Sequence, residues 1–266
     1  MIPIVQFPAL SALPALRHGF STRRGGVSCG IYESMNLSFG RGDSEEAVRE
    51  NFRRMCLATE IPFDALSMPK QTHSTTIRIA TASDCGNGLD REIPFDSADG
   101  QITSEPGVAL VVFCSDCTPI YLYDPVRKAI GLSHAGWRGT VAEMAGKTVT
   151  AMKDTFGCEP ENLIAVIGPS IGPECFEVGD EVAEEFADVF GAETIQRQYG
   201  IRPHVDLQKA NRLSMIRAGM NPDRIIVSGL CTKCHSDLLF SHRATAGKRG
   251  GNAGFLMIRK PDEEEQ

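Results

Sequence analysis

Apolar residues recur along this chain in two periods, one of strand length and one helical. Val108 to Cys114 is a continuous apolar run, too short for a helix and matched to a fully buried strand. Lys128 to Ser133 reads as a second strand after the turn at Asp124-Pro125, and Leu163 to Ile167 as a third, ended by Gly168-Pro169. Ile225 to Gly229 and Gly254 to Ile258 complete the strand set. Helical spacing appears from Asp43, a cap with Glu46 three residues on, through Val48, Phe52 and Met55 on one face. It returns in Thr140 to Phe156 through Val141, Met144, Ala145, Thr148 and Met152, stopped by Gly157. Asp180 to Phe190 and Asp206 to Met220 each open on a capping Asp and are further helices. Strands interleaved with enough helices to cover them predict an α/β fold. A strand running into Cys-x-x-Cys occurs twice, at Cys114/Cys117 and Cys231/Cys234, a weak echo of internal duplication.

Length and charge narrow the classes. The 266 residues fit one large domain or two small ones. No low-complexity linker divides them, so residues 1–266 read as a single domain, with 261–266 (PDEEEQ) as a disordered acidic tail. A formal net charge of −7 disfavours a nucleic-acid or anionic-membrane partner. No apolar run approaches the roughly 18 residues of a membrane helix, and Pro3, Pro8 and Pro14 interrupt the apolar N-terminus. The expectation is a cytoplasmic protein without an obligate protein partner. Nine cysteines, an odd number, point to buried thiols, metal ligands or a nucleophile and not to a disulfide scaffold.

Chemistry concentrates in three loop positions beside Gly or Pro. His73 lies in Lys70-Gln71-Thr72-His73, Cys117 in Asp116-Cys117-Thr118-Pro119, and His134 in His134-Ala135-Gly136-Trp137-Arg138-Gly139. Two imidazoles and a thiolate would leave a tetrahedral zinc one open position for activating water, the layout of a catalytic site. Hydrogen-bonded loop histidines and a buried thiol account for the same residues by spacing alone. The glycines at 136 and 139 permit close backbone approach, and Arg138 with the following helix start offers an anion site. The Thr22-Arg23-Arg24-Gly25-Gly26 loop offers a second one, or a plain turn with solvated arginines. Cys231-Thr232-Lys233-Cys234-His235 has haem-attachment spacing, but that chemistry needs export and no signal is visible.

Taken together, the ordered blocks TRRGGVS (22–28), KQTH (70–73), ADGQIT (98–103), SDCTPI (115–120), HAGWRG (134–139), IGPSIGPECFEVG (167–179) and FSHR (240–243) resemble one family. It is the zinc-dependent purine nucleoside phosphorylase/adenosine deaminase family, YfiH-like and also described as laccase-domain, polyphenol oxidase or peptidoglycan editing factor. The resemblance runs from about Phe20 to Ile258. It implies a zinc held by His73, Cys117 and His134, and a single-domain two-sheet sandwich flanked by helices, similar to the cysteine-hydrolase-like toxin fold. It implies phosphorolysis of adenosine, inosine, guanosine or methylthioadenosine and hydrolytic deamination of adenosine, with purine nucleoside and phosphate as partners. Cys117 and Arg138 are then the candidate catalytic residues, with Arg23 and Arg138 for phosphate. Asp99 and Asp116 are acid/base candidates, or loop caps. Departures from the family pattern fall at Ser74, Glu174, His242 and Ala244, none of them at the three metal positions.

Two other readings use the same residues. Two His and one Cys are also the equatorial set of a blue-copper centre, which keeps a copper-dependent polyphenol oxidase open. Six histidines and no His-x-His are too few for a multicopper cluster. A thiol hydrolase in peptidoglycan quality control would use Cys117 as nucleophile with His73 or His134 as base.

Overall fold

The computed structural model describes residues 2–197 and 200–261. Of the acidic tail expected at 261–266, all but Pro261 lies outside them. In chain order the strands are β1 (Ile4–Val5), β2 (Leu16–Ser21), β3 (Leu66–Ser67), β4 (Ile77–Ile79), β5 (Gly100–Thr103), β6 (Ala109–Cys114), β7 (Thr118–Asp124), β8 (Ala129–Ala135), β9 (Ile164–Ile167), β10 (Ile195–Gln196), β11 (His204–Val205), β12 (Ile225–Val227) and β13 (Asn252–Ile258). The helices are α1 (Pro8–Ser11), α2 (Glu45–Thr59), α3 (Trp137–Val141), α4 (Met144–Phe156), α5 (Asp180–Phe190) and α6 (Leu207–Arg217).

The unbroken apolar run at 108–114 has a direct cause: β6 is covered on both faces. Leu110, Val112 and Cys114 point into one core with Leu16, Phe20, Tyr121, Ile130, Leu132 and Leu256. Ala109 and Val111 point into another with Val48, Phe52, Met55 and Phe255. Successive strand side chains face opposite ways, so double cover demands apolar residues at every position. Each such fully buried Leu, Val or Phe contributes roughly 1.5–3 kcal/mol relative to exposure.

Two mixed sheets result. One has the order β1-β2-β13-β6-β3 and the other β12-β9-β7-β8-β5-β4, with β10-β11 as a separate pair. The sheets face each other across the Leu110–Tyr121–Leu132 core. Helix α2 covers the outer face of the first sheet, while α4 and α6 cover the second through Met144, Val149, Met152 and Met215. This is the expected α/β two-sheet sandwich flanked by helices.

Four sequence expectations change in detail, the first being that α5 is preceded by Gly179 at the cap position, with Asp180 already its first helical residue. The cap of α2 is Ser44, whose hydroxyl accepts from Ala47 N at 3.3 Å, and not Asp43. Asp43 instead accepts from Asn36 Nδ2 at 2.8 Å, anchoring the preceding loop. The helix read over Thr140 to Phe156 is two helices, broken where Glu143 adopts φ 58°. The break serves two cores: Trp137 and Val141 pack with α5, whereas Met144 and Ala145 pack on the sheet. Strand β7 is absent from the sequence expectations; a proline is uncommon inside a central strand. It lies between β8 and β9, with Pro119 near its start opposite His134. No helix among the described residues is long and apolar enough to cross a membrane.

Candidate metal centre

Three segments meet where the chain passes from one sheet to the other. Residues 115–117 form that crossover between β6 and β7, so Cys117 sits at the junction. Its position is fixed through Asp116, a non-glycine residue at φ 88°. The Asp116 carboxylate accepts from Thr232 Oγ1 at 2.6 Å and from Arg243 N at 2.7 Å, and its carbonyl accepts from Ile171 N at 2.9 Å. His134 projects from β8. His73, exposed and also left-handed at φ 61°, comes from the loop before β4. Such backbone conformations cost on the order of 1–3 kcal/mol and persist only where surroundings impose them.

At His73 it is Asp99 that imposes it. Fully buried, its carboxylate accepts from Thr72 N and His73 N at 3.0 Å and from Ser74 N at 2.8 Å. It also accepts from Ser74 Oγ and faces His134 Nδ1, each at 2.9 Å. Burial opposes its ionisation, but the hydrogen bonds from His134, Thr72 and Ser74 prevail and hold the carboxyl down at about 2. Asp99 is therefore an ionised orienting group with its lone pairs engaged. It commits His134 Nδ1 as a donor and leaves Nε2 as the available lone-pair nitrogen.

The ligand atoms of His73, Cys117 and His134 all lie within 4.8 Å of one another. The two imidazoles stand nearly perpendicular, centroids 4.9 Å apart. Burial would raise the Cys117 thiol, but His134 and His73 bring it down to about 6. Burial would lower His134, but Cys117 and Asp99 carry it up to about 9. Together the two shifts describe a thiolate held against a protonated His134; a cation bound there would displace that proton, leaving a thiolate and two imidazoles, a donor set that fits a borderline-soft cation. Gly136 backs the cluster: a Cβ there would stand 3.0 Å from His73 Cδ2 and 3.2 Å from Cys117 Sγ. Cys114, by contrast, is a core residue whose thiol burial pushes well above its usual range.

A cavity of about 390 Å³ opens over the three residues, within the range of small-molecule sites. Phe39, Met68, Ile93 and Phe113 give it apolar walls, while Gln71, Arg41 and Arg249 supply polar groups. Gln71 is fixed by exchanging hydrogen bonds with Phe113 N and O. Arg249 is 9% exposed, and its Nε has no protein partner. Burial and the neighbouring Arg41 lower its pKa to about 10.

Arg23 and Arg138 do not line this cavity. Arg23 donates to the carbonyls of Glu33 and Ser236 and lies over the Phe240 ring, bracing a loop. Arg138 is exposed and stacks on Trp137. No site role is assigned to Arg41 or Arg249 from the sequence, although Arg249 ends Gly247-Lys248-Arg249, a further block of the family resemblance, and each stands beside glycine, in Gly40-Arg41-Gly42 and Arg249-Gly250-Gly251.

Comparison with known proteins agrees with the fold and the motif blocks. A family model described as multi-copper polyphenol oxidoreductase laccase matches residues 17–259, and the chain belongs to that family. The human protein "Purine nucleoside phosphorylase LACC1" is 36% identical over 94% of this chain, which spans only 61% of that relative's length. "Adenosine deaminase RL5", from an unknown prokaryotic organism, is 35% identical over 84% of this chain and 87% of its own. The crystal structure of YlmD from Geobacillus stearothermophilus superposes with a TM-score of 0.88 at 33% identity, covering 96% of this chain and 94% of the other.

Proposed function

We propose that this protein is a zinc-dependent purine nucleoside enzyme, catalysing phosphorolysis of adenosine, inosine, guanosine or methylthioadenosine and hydrolytic deamination of adenosine. The observation that carries the reading is the His73–Cys117–His134 set on one side of a cavity that also holds Arg249, a buried cation with an unpartnered Nε. Names of relatives support the substrate class. His73, Cys117 and His134 would hold the zinc. When bound, it supplies a Lewis acid for the step in which charge develops.

The chain's own groups divide the remaining work. Phe39, Met68, Ile93 and Phe113 provide an apolar slot of the kind a purine ring fills. Arg249 and Arg41, rather than Arg23 and Arg138, are assigned to phosphate because both line the cavity, and the buried Arg249 guanidinium gains most from an anion that pairs with it. In phosphorolysis a phosphate oxygen bonds to the ribose C1′ as the bond to the purine nitrogen breaks. In deamination water oxygen bonds to C6 of adenine and the amino group leaves as ammonia. Asp99 orients His134 and moves no proton, being ionised far below neutral pH.

A thiol-hydrolase reading is favoured by the Cys117–His134–Asp99 alignment, which has the form of a nucleophile, base and orienting acid. It gives no use for His73, whose strained backbone brings a second imidazole to the same sulfur. The test is metal content together with chromatography of adenosine incubated with and without phosphate, for wild type and Cys117→Ala. Loss of about one zinc per chain in the variant, with adenine or inosine formed only by the wild type, supports the proposal. Unchanged adenosine, or turnover that survives chelation but not thiol alkylation, overturns it.

A further inference from the structure

We propose that Cys175, Cys231 and Cys234 form a second metal site, for a thiophilic divalent cation such as zinc, with a ligand set separate from that at Cys117. The three sulfurs lie within 4.8 Å of one another, although Cys175 is 56 positions from Cys231 in sequence. Cys175 Sγ and Cys234 Sγ are 3.4 Å apart. Zinc–sulfur bonds of about 2.3 Å at tetrahedral angles set sulfurs about 3.8 Å apart, so the cluster needs little adjustment to close on an ion.

The backbone around Cys231 is arranged for a thiolate. Gly172 N donates to its sulfur at 3.2 Å and Cys234 N at 3.4 Å. Two N–H groups aimed at one sulfur stabilise the ionised form, the form that binds metal. Cys231-Thr232-Lys233-Cys234 has the two-residue spacing of a chelating turn, which places both sulfurs on one side. Gly172 is needed for the approach, since a Cβ there would stand 3.2 Å from Cys231 Cβ and 3.4 Å from its sulfur. Cys234 is exposed, which leaves the fourth tetrahedral position on the solvent side.

Such an ion would pin two loops that also serve the Cys117 crossover. Thr232, inside the chelating turn, donates its hydroxyl to Asp116 Oδ1, and its N–H donates to Ser170 O at 3.0 Å. Ile171, just before Gly172, donates its N–H to the Asp116 carbonyl. The second site would thus hold Asp116 from both loops, without touching the reacting atoms.

The experiment loads the full chain with zinc under reductant, desalts it, and measures metal in wild type, Cys117→Ala and the double variant Cys175→Ser/Cys234→Ser. Expected are about two ions in the wild type and about one in each variant. One ion in the wild type and none in Cys117→Ala would overturn the second site, as would a double variant retaining both. One ion in the wild type, kept by Cys117→Ala and lost by the double variant, would support the second site while sinking the zinc reading of the first. Should the double variant fail to fold, cobalt(II) added to Cys117→Ala decides. An intense thiolate-to-cobalt charge-transfer band supports the site, and its absence overturns it.

Discussion

Two Cys-x-x-Cys segments in this chain have the same spacing and different fates. Cys114 ends β6 packed in the inter-sheet core, so only Cys117 of the pair comes within ligand distance of the imidazoles. Cys231 and Cys234 lie in an irregular turn, so both sulfurs face the same way and a distant cysteine completes the set. Strand phase decides which residues of a motif are chemically available. A pair that begins inside a doubly covered strand surrenders its first member to packing.

The largest effect is expected from Cys117→Ala: no detectable nucleoside turnover and loss of its metal, measured by product chromatography and metal analysis. Arg249→Met comes next, raising KM for phosphate about 10–100-fold while adenosine deamination changes far less, because the lost contact is a charged hydrogen bond. A parallel rise in both reactions would show that Arg249 shapes the cavity without reading the anion. Asp99→Asn should lower zinc affinity about 10–100-fold by releasing the orientation of His134, as measured by chelator competition.

Gly136→Ala and Gly139→Ala sharpen the point at one helix start, the first at the cap of α3 and the second inside it. The first inserts a methyl among the ligands and should cost about 10–100-fold in kcat/KM. The second meets nothing nearer than 3.7 Å and should keep kcat/KM while raising stability by at most about 1 kcal/mol. The smallest effect belongs to Cys114→Ala, which should keep its full metal content and lose about 1 kcal/mol in denaturant unfolding. Metal loss in that variant would break the contrast between the two motifs.

How far the sequence discloses this arrangement depends on what each residue answers to. β6, β9 and α5 are legible because burial alone sets their composition. β7 carries Pro119, a residue type uncommon inside a central strand, and the break at Glu143 is hidden by helical spacing that continues across it, since two different cores happen to share one period. His73, Cys117 and His134 stand out because few residue types hold metals and each sits in one of the family-like blocks, KQTH, SDCTPI and HAGWRG. Arg41 and Arg249 do not, because an arginine in a glycine-containing loop looks alike whether it braces that loop, as Arg23 does, or lines a cavity. Asp99 was visible as a candidate carboxylate, but its task depends on five hydrogen-bonding groups brought together only by the fold.

The crossover at 115–117 also sets the tolerance of this chain to changes in length. Three residues carry the backbone from one sheet to the other, and the sulfur is on the last of them. Adding one residue there would shift β7 against its neighbours by about 3.3 Å and exchange its core-facing and helix-facing side chains, or else push the sulfur out of reach of both imidazoles. An insertion among the exposed residues 90–92, away from the sheet junction, would be absorbed at the surface. Variation in length should therefore collect before β5 and vanish between β6 and β7.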